Sequence, residues 1–215
     1  MLEWMMAYVC LSRISTAPFK TPTEPKAEAF VKAYFHEVAE EDFDQALATN
    51  AVGPYWLTFA FLPLLEKWKS SPGGARFAPQ VVMTSSMNGW TKDPATSGNS
   101  FPYMFSKSAI GHATASLAHE LLPLGVRVNG IAPGLFVTEM SSPGTMNPLG
   151  QSHLPPGTTF GIEVPVSGPV EKGQQRAGTN RDMGALVLFL VANWFVDGET
   201  VLIDGGSLLK HPSSY

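Results

Sequence analysis

No glycine occurs before Gly53 in this chain of 215 residues. The first quarter therefore holds no glycine-rich turn of the kind that lets backbone N–H groups close around a phosphate. Cysteine is almost absent: Cys10 stands alone, which excludes an internal disulfide framework and fits a reducing, cytoplasmic setting. Charge is sparse at 15% of residues, the net charge is −4 and the isoelectric point is near 5.7. Without a basic surface or a run of lysines and arginines, neither nucleic acid nor an anionic membrane is an expected partner. The five histidines, His36, His112, His119, His153 and His211, never fall at metal-ligand spacing with a second histidine or a cysteine, so no metal is expected. The apolar opening, Met1 to Leu11, carries only Glu3 as an early charge and precedes no small-residue cleavage site. It reads as a buried strand or a frayed start rather than a targeting signal, and it is too short to span a bilayer.

What is present is apolar side chain, 44% of the total, enough for one domain with one core. Pro18, Pro22 and Pro25 mark a loop that leads into a helix over roughly 26–35. A second helix runs from about Glu40 to Lys67, with Gly53-Pro54 bending its middle. The continuous apolar runs Gln80-Val-Val-Met-Thr84, Val126-Arg-Val-Asn-Gly-Ile131 and Val201-Leu-Ile203 suit strands buried on both faces of a parallel sheet. A helix over about 102–122 lies between the first two, making a strand–helix–strand crossover and an α/β fold class. Residues 141–176 gather proline and glycine with little periodicity, as long functional loops do. Thr179-Asn-Arg-Asp182 matches a capping box that opens a last helix over about 183–191.

Several residues carry chemistry. Tyr103 and Lys107, four apart on one helix, project from the same face. An ammonium beside a phenol favours the phenolate, which suits Tyr103 as a general acid or base near neutral pH. Ser86, just past a strand at the carboxyl edge of the sheet, is placed to hydrogen-bond a reacting oxygen, although Ser85 and Ser86 also read simply as turn formers. Asn50 is an amide inside an otherwise apolar helix, suited either to a site or to the backbone at the bend. Pro133-Gly134 ends its strand sharply, as a turn across a ligand or as loop punctuation.

Taken in order, these motifs resemble the short-chain dehydrogenase/reductase family from about Ile14 to Gly206. The resemblance implies a Rossmann-type, doubly wound parallel sheet and a catalytic tetrad at Asn50, Ser86, Tyr103 and Lys107. Asn50-Ala-Val-Gly53 and Ser86-x-x-Gly89 are similar to the family's patterns around its asparagine and serine. Pro133-Gly-Leu-Phe-Val-Thr138 resembles the segment along the nicotinamide, implying cofactor contacts at Pro133, Gly134, Phe136 and Thr138 beside Tyr103 and Lys107. Arg176-Ala-Gly178 and Ile203-Asp-Gly-Gly206 resemble the closing pattern, and residues 141–176 the variable substrate cover. The implied activity is hydride transfer between NAD or NADP and a small-molecule carbonyl or alcohol. The layout is most like 3-oxoacyl reductases and fungal relatives, and the helices around Asn50 and Tyr103 resemble the family's dimer-forming helices, implying a homo-oligomer.

The chain also departs from the pattern. The glycine-rich turn and the Asn-Asn-Ala-Gly segment are missing, so the expectation is a partial, amino-terminally truncated domain over 14–215 behind an unmatched leader over 1–13. Such a sheet would have a bared edge, for which Tyr8-Val-Cys-Leu11 is a candidate strand. Thr91 to Phe101 is longer than usual between serine and tyrosine, expected as an enlarged loop, with a displaced serine as the alternative. The alternative function is a non-catalytic remnant that binds intact relatives.

Overall fold

The computed structural model describes residues 22–98, 100–155, 157–170 and 174–215. The leader at 1–13 and the candidate strand Tyr8–Leu11 lie outside them. Three parallel strands form one sheet in the order β1 (Gln80–Thr84), β2 (Arg127–Pro133), β3 (Thr200–Ile203). Thr84 sits opposite Ile131 and Pro133 opposite Ile203, so the strand ends that carry Ser86 and Gly134 emerge on one edge. β2 is buried through six of its seven residues, the polar Arg127 and Asn129 among them, so the expected continuous apolar run is interrupted by two buried side chains that hydrogen-bond the Val196 carbonyl.

Before the sheet come α1 (Ala27–Val31), α2 (Glu40–Leu47) and α3 (Gly53–Lys69). The expected bend before Gly53 is a π turn, Ala48–Val52, in which the Gly53 N–H donates to the Ala48 carbonyl five residues back. Pro54 has no N–H to return to residue 50, and the widened turn absorbs that gap. A similar turn, Lys32–His36, follows α1, so the expected first helix is split rather than uniform.

The crossover helix α4 (Phe101–Leu121) has proline in its first turn and is stopped by Gly125, whose φ of +63° only glycine adopts freely. Its buried residues Lys107, Ile110, Thr114, Leu117 and Leu121 recur every three or four positions. Ile110, Leu117 and Leu121 pack with Met83 of β1 and Val128 of β2, while Phe59, Leu62 and Leu65 of α3 cover the flank. Each such side chain contributes about 1.5–3 kcal/mol by leaving water. α5 (Asn180–Ala192) starts at Thr179, whose N–H donates to the Asp182 carboxylate at 2.9 Å, completing the expected capping box. Arg127 of β2 anchors the far end of α5, donating to the carbonyls of Leu190, Asn193 and Val196 at 3.0–3.1 Å.

A second apolar cluster lies beyond the sheet edge. It joins Met87 and Trp90, Leu135, Phe160 and Ile162 of the long loop, Leu202 of β3, and Leu208. The long loop is therefore anchored at Phe160 and Ile162. Gln175 reinforces it by donating to the Ile162 carbonyl at 2.9 Å.

Candidate active site

The two serines after β1 have separate fates. Ser85 donates its hydroxyl to the Lys107 carbonyl at 2.7 Å, which fastens the strand end to α4. Ser86 accepts from the Asn88 N–H at 3.2 Å, capping the short 3₁₀ turn Met87–Gly89, and hydrogen-bonds the Tyr103 hydroxyl. The Ser86 Oγ also lies 3.4 Å from the Pro133 carbonyl, where β2 ends. Gly89 allows this approach, since a Cβ there would stand 2.8 Å from the Lys107 carbonyl oxygen. Within the long stretch between the serine and the tyrosine, residues Pro94–Ser97 form a short 3₁₀ turn capped by Asp93.

Lys107 is buried, donates its ammonium to the Thr84 carbonyl at 3.0 Å, and lies 5.7 Å from the centre of the Tyr103 ring. Burial pushes its pKa down from 10.5 to about 8. Tyr103 keeps part of its ring at the surface while its hydroxyl is enclosed. Burial raises the phenol above its ordinary 10, and the Ser86 hydrogen bond opposes the rise. The sequence reading expected the ammonium to lower this value. In the folded chain desolvation is larger, because the phenolate loses its hydration and Lys107 spends a proton on the strand carbonyl.

Asn50 is buried in the π turn and donates its side-chain N–H to the Ser106 hydroxyl at 2.9 Å. Ser106 in turn donates to the Tyr103 carbonyl at 2.8 Å, so the helix pair and the turn of α4 that carries the tyrosine are locked together. The widened turn re-aims a side chain that a regular helix would place elsewhere. Sequence reasoning passed over Ser106. Its signal was helical spacing, since Tyr103, Ser106, Lys107 and Ile110 share one face. The Thr84 carbonyl, which holds the ammonium, has no side-chain signature at all.

Of the expected cofactor contacts, Pro133 and Gly134 lie beside Ser86 at the strand edge. Gly134 donates to the Ile203 carbonyl at 2.9 Å, and a Cβ on it would stand 2.6 Å from the Asp204 Cα. Phe136 bridges to Gly178 and stacks its ring against that glycine. Thr138 is exposed, and its N–H donates to Ser141 at 2.9 Å. The structure therefore brings Asn50, Ser86, Tyr103, Lys107 and Pro133 into one connected set, while Phe136 and Thr138 continue along the edge toward the long loop. Among the described residues no group of three or more His, Cys, Asp or Glu could hold a metal, and no helix is long and apolar enough to cross a membrane.

Comparison with known proteins bears on this arrangement. The profile of the short chain dehydrogenase family matches residues 29–147. The short-chain dehydrogenase/reductase VdtF of Byssochlamys spectabilis is 30% identical over 95% of this chain and 67% of VdtF. The fold is similar to acetoin dehydrogenase YohF from Salmonella typhimurium, with a TM-score of 0.60 at 21% identity, over 81% of this chain and 59% of that one. It is also similar to a 3-oxoacyl-[acyl-carrier protein] reductase with bound NAD from Brucella melitensis, with a TM-score of 0.50 at 22% identity, over 80% of this chain and 54% of that one. The chain thus spans between half and two thirds of the length of these proteins.

Proposed function

The chain belongs to the short-chain dehydrogenase/reductase family, and from that premise we propose that it is an NAD(P)-dependent oxidoreductase that interconverts a small-molecule carbonyl and its alcohol. The observation that carries this reading is the convergence of the Ser86 hydroxyl, the Tyr103 phenol and the Lys107 ammonium at the carboxyl edge of a parallel sheet.

Ser86 would donate a hydrogen bond to the substrate oxygen and orient it toward Tyr103. Tyr103 would give that oxygen a proton in reduction and remove it in oxidation. The buried ammonium of Lys107 would favour the phenolate that Tyr103 becomes after giving up its proton. Asn50, acting through Ser106, would hold the tyrosine's turn of helix still.

The residues present fit one end of the dinucleotide. Gly134, with no room for a side chain, leaves bare backbone beside Ser86, and Phe136 and Thr138 extend that edge, where the nicotinamide and its carboxamide would lie. Lys107 would hold the adjacent ribose hydroxyls. The described residues before Gly53 offer no glycine-rich turn for the pyrophosphate. Bound at that edge, the nicotinamide supplies or accepts the hydride.

Residues 141–176 would cover the substrate. Exposed Phe35, Tyr55, Trp56 and Phe105 on the helical face support self-association into a homo-oligomer. The lone cysteine supports a cytoplasmic setting.

The test is titration of the purified protein with NADH and NADPH, followed by carbonyl reduction, with Tyr103→Phe as control. Saturable binding retained in Tyr103→Phe, with turnover at least ~100-fold lower, is the expected result. A folded protein that binds neither dinucleotide would refute the proposal.

A further inference from the structure

The loop that follows Ser86 is tied at its far side by the segment His211–Tyr215. Thr91 and Ser213 form an antiparallel bridge. The Lys92 N–H donates to the Pro212 carbonyl at 2.6 Å, and the Ser214 N–H donates to the Trp90 carbonyl at 2.9 Å. His211 Nδ1 meets the Asp93 carboxylate at 2.8 Å with both side chains largely enclosed, and the rings of Trp90 and Tyr215 meet edge to face at 5.0 Å. The His211 Nε2 is buried without a hydrogen-bond partner, so the carboxylate contact alone fixes the ring by hydrogen bonding. Backbone hydrogen bonds, a side-chain hydrogen bond and an aromatic contact thus all converge on the loop residues Trp90–Asp93.

From there a continuous set of hydrogen bonds leads back to the reacting serine. The Asp93 carboxylate accepts from the Ala95 N–H at 3.0 Å and so caps the turn Pro94–Ser97. Thr96 in that turn donates to the Asn88 side-chain carbonyl at 2.7 Å, and the Asn88 N–H donates to the Ser86 hydroxyl at 3.2 Å. Trp90 belongs to the same apolar cluster as Met87 next to the serine and as Phe160 and Ile162 of the long loop.

We propose that residues 211–215 are a strap that fixes the loop 87–97 and thereby sets the position of the Ser86 hydroxyl, with His211, Asp93 and Trp90 as positioning residues. The proposal rests on the oxidoreductase reading only for its effect on turnover; the mechanical coupling stands apart from it. A hydroxyl held through a contiguous network responds when the far end is released, and catalysis is steep in such displacements.

The test compares wild-type protein with His211→Ala, with His211→Asn, whose amide nitrogen falls near the place of Nδ1, and with a chain truncated after Leu209. Hydrogen exchange is followed by mass spectrometry, and reduction kinetics are measured with NADH and NADPH. His211→Ala and the truncation are expected to speed exchange about tenfold over 88–92, with exchange in 127–133 unchanged. His211→Ala should lower kcat about tenfold with the dinucleotide KM unchanged, and His211→Asn should restore both readings. Exchange over 88–92 that stays unchanged in both the His211→Ala and truncated chains, or that rises in step with 127–133, overturns the strap. A wild-type protein that binds no dinucleotide but shows the expected exchange pattern refutes the oxidoreductase reading and supports the strap.

Discussion

Replacing Lys107 with methionine should stabilise the protein and abolish its turnover. The ammonium is buried against α4 and the end of β1, and burial holds its pKa near 8 instead of 10.5. That drop, at ~1.36 kcal/mol per pH unit, means the charged form costs the folded state about 3 kcal/mol at neutral pH. Methionine has similar length and no charge to desolvate, so most of this cost disappears. The substitution also leaves the Thr84 carbonyl without its 3.0 Å donor, a loss of about 1 kcal/mol. The expected net gain at pH 7 is therefore about 2 kcal/mol. The dependence on pH has a definite sign. Between about pH 8 and 10.5 the unfolded chain holds a proton on this lysine that the folded chain has released, so wild-type stability rises with pH across that window. The advantage of the variant should shrink across the same range. Urea unfolding of both proteins from pH 6 to pH 10.5 measures each quantity. A variant less stable than wild type at pH 7, or a constant difference across the range, would show that desolvation of the buried ammonium does not cost the fold what its lowered pKa implies.

The same titration predicts that carbonyl reduction weakens above about pH 8, as Lys107 loses the proton that supports the tyrosine; a kcat/KM profile checks this, and a flat profile to pH 10 contradicts it. The adjacent serines should separate cleanly. Ser86→Ala is expected to cost ~100-fold in kcat with little change in urea midpoint, whereas Ser85→Ala removes the 2.7 Å bond to α4 and should cost about 1 kcal/mol of stability. Arg127→Met leaves four carbonyls at and just beyond the end of α5 without their donor and should destabilise by ~2–4 kcal/mol, read as a lower midpoint in urea. Gly134→Ala places a Cβ against Asp204 and should impair dinucleotide binding along with stability, measured by titration and thermal unfolding.

The elements were legible wherever one physical signal dominated. Apolar runs marked the three strands, which appear at Gln80–Thr84, Arg127–Pro133 and Thr200–Ile203; the expected burial on both faces holds for the central β2, whereas β1 and β3, with a sheet neighbour on one side only, are mostly half-buried. Thr179 and Asp182 announced α5 because a capping box is a local hydrogen-bond pattern. Tyr103 and Lys107 were readable as a pair because helical spacing alone puts them on one face. The break before Gly53-Pro54 was visible as well, since a missing N–H is a property of the residue itself.

Long-range partners were not legible. That Ser85 is structural while Ser86 faces the tyrosine depends on which side of a strand end meets α4, and two neighbouring serines carry no such information in their order. The link from Asn50 through Ser106 to Tyr103 spans 56 residues between its first two members and needs the π turn to aim the amide. The Tyr103 pKa moves opposite to the expectation because desolvation is set by everything packed around a group, whereas spacing reveals only one neighbour. The pairing of Asp93 with His211 joins residues 118 apart. The sequence by itself therefore determined the elements, their parallel α/β arrangement and the residues able to do chemistry, because those follow from periodicity and local hydrogen bonding. Only the tertiary structure decided which hydroxyl meets the tyrosine, how far burial shifts the lysine and what holds the serine loop, because those are sums over contacts between segments distant in the chain.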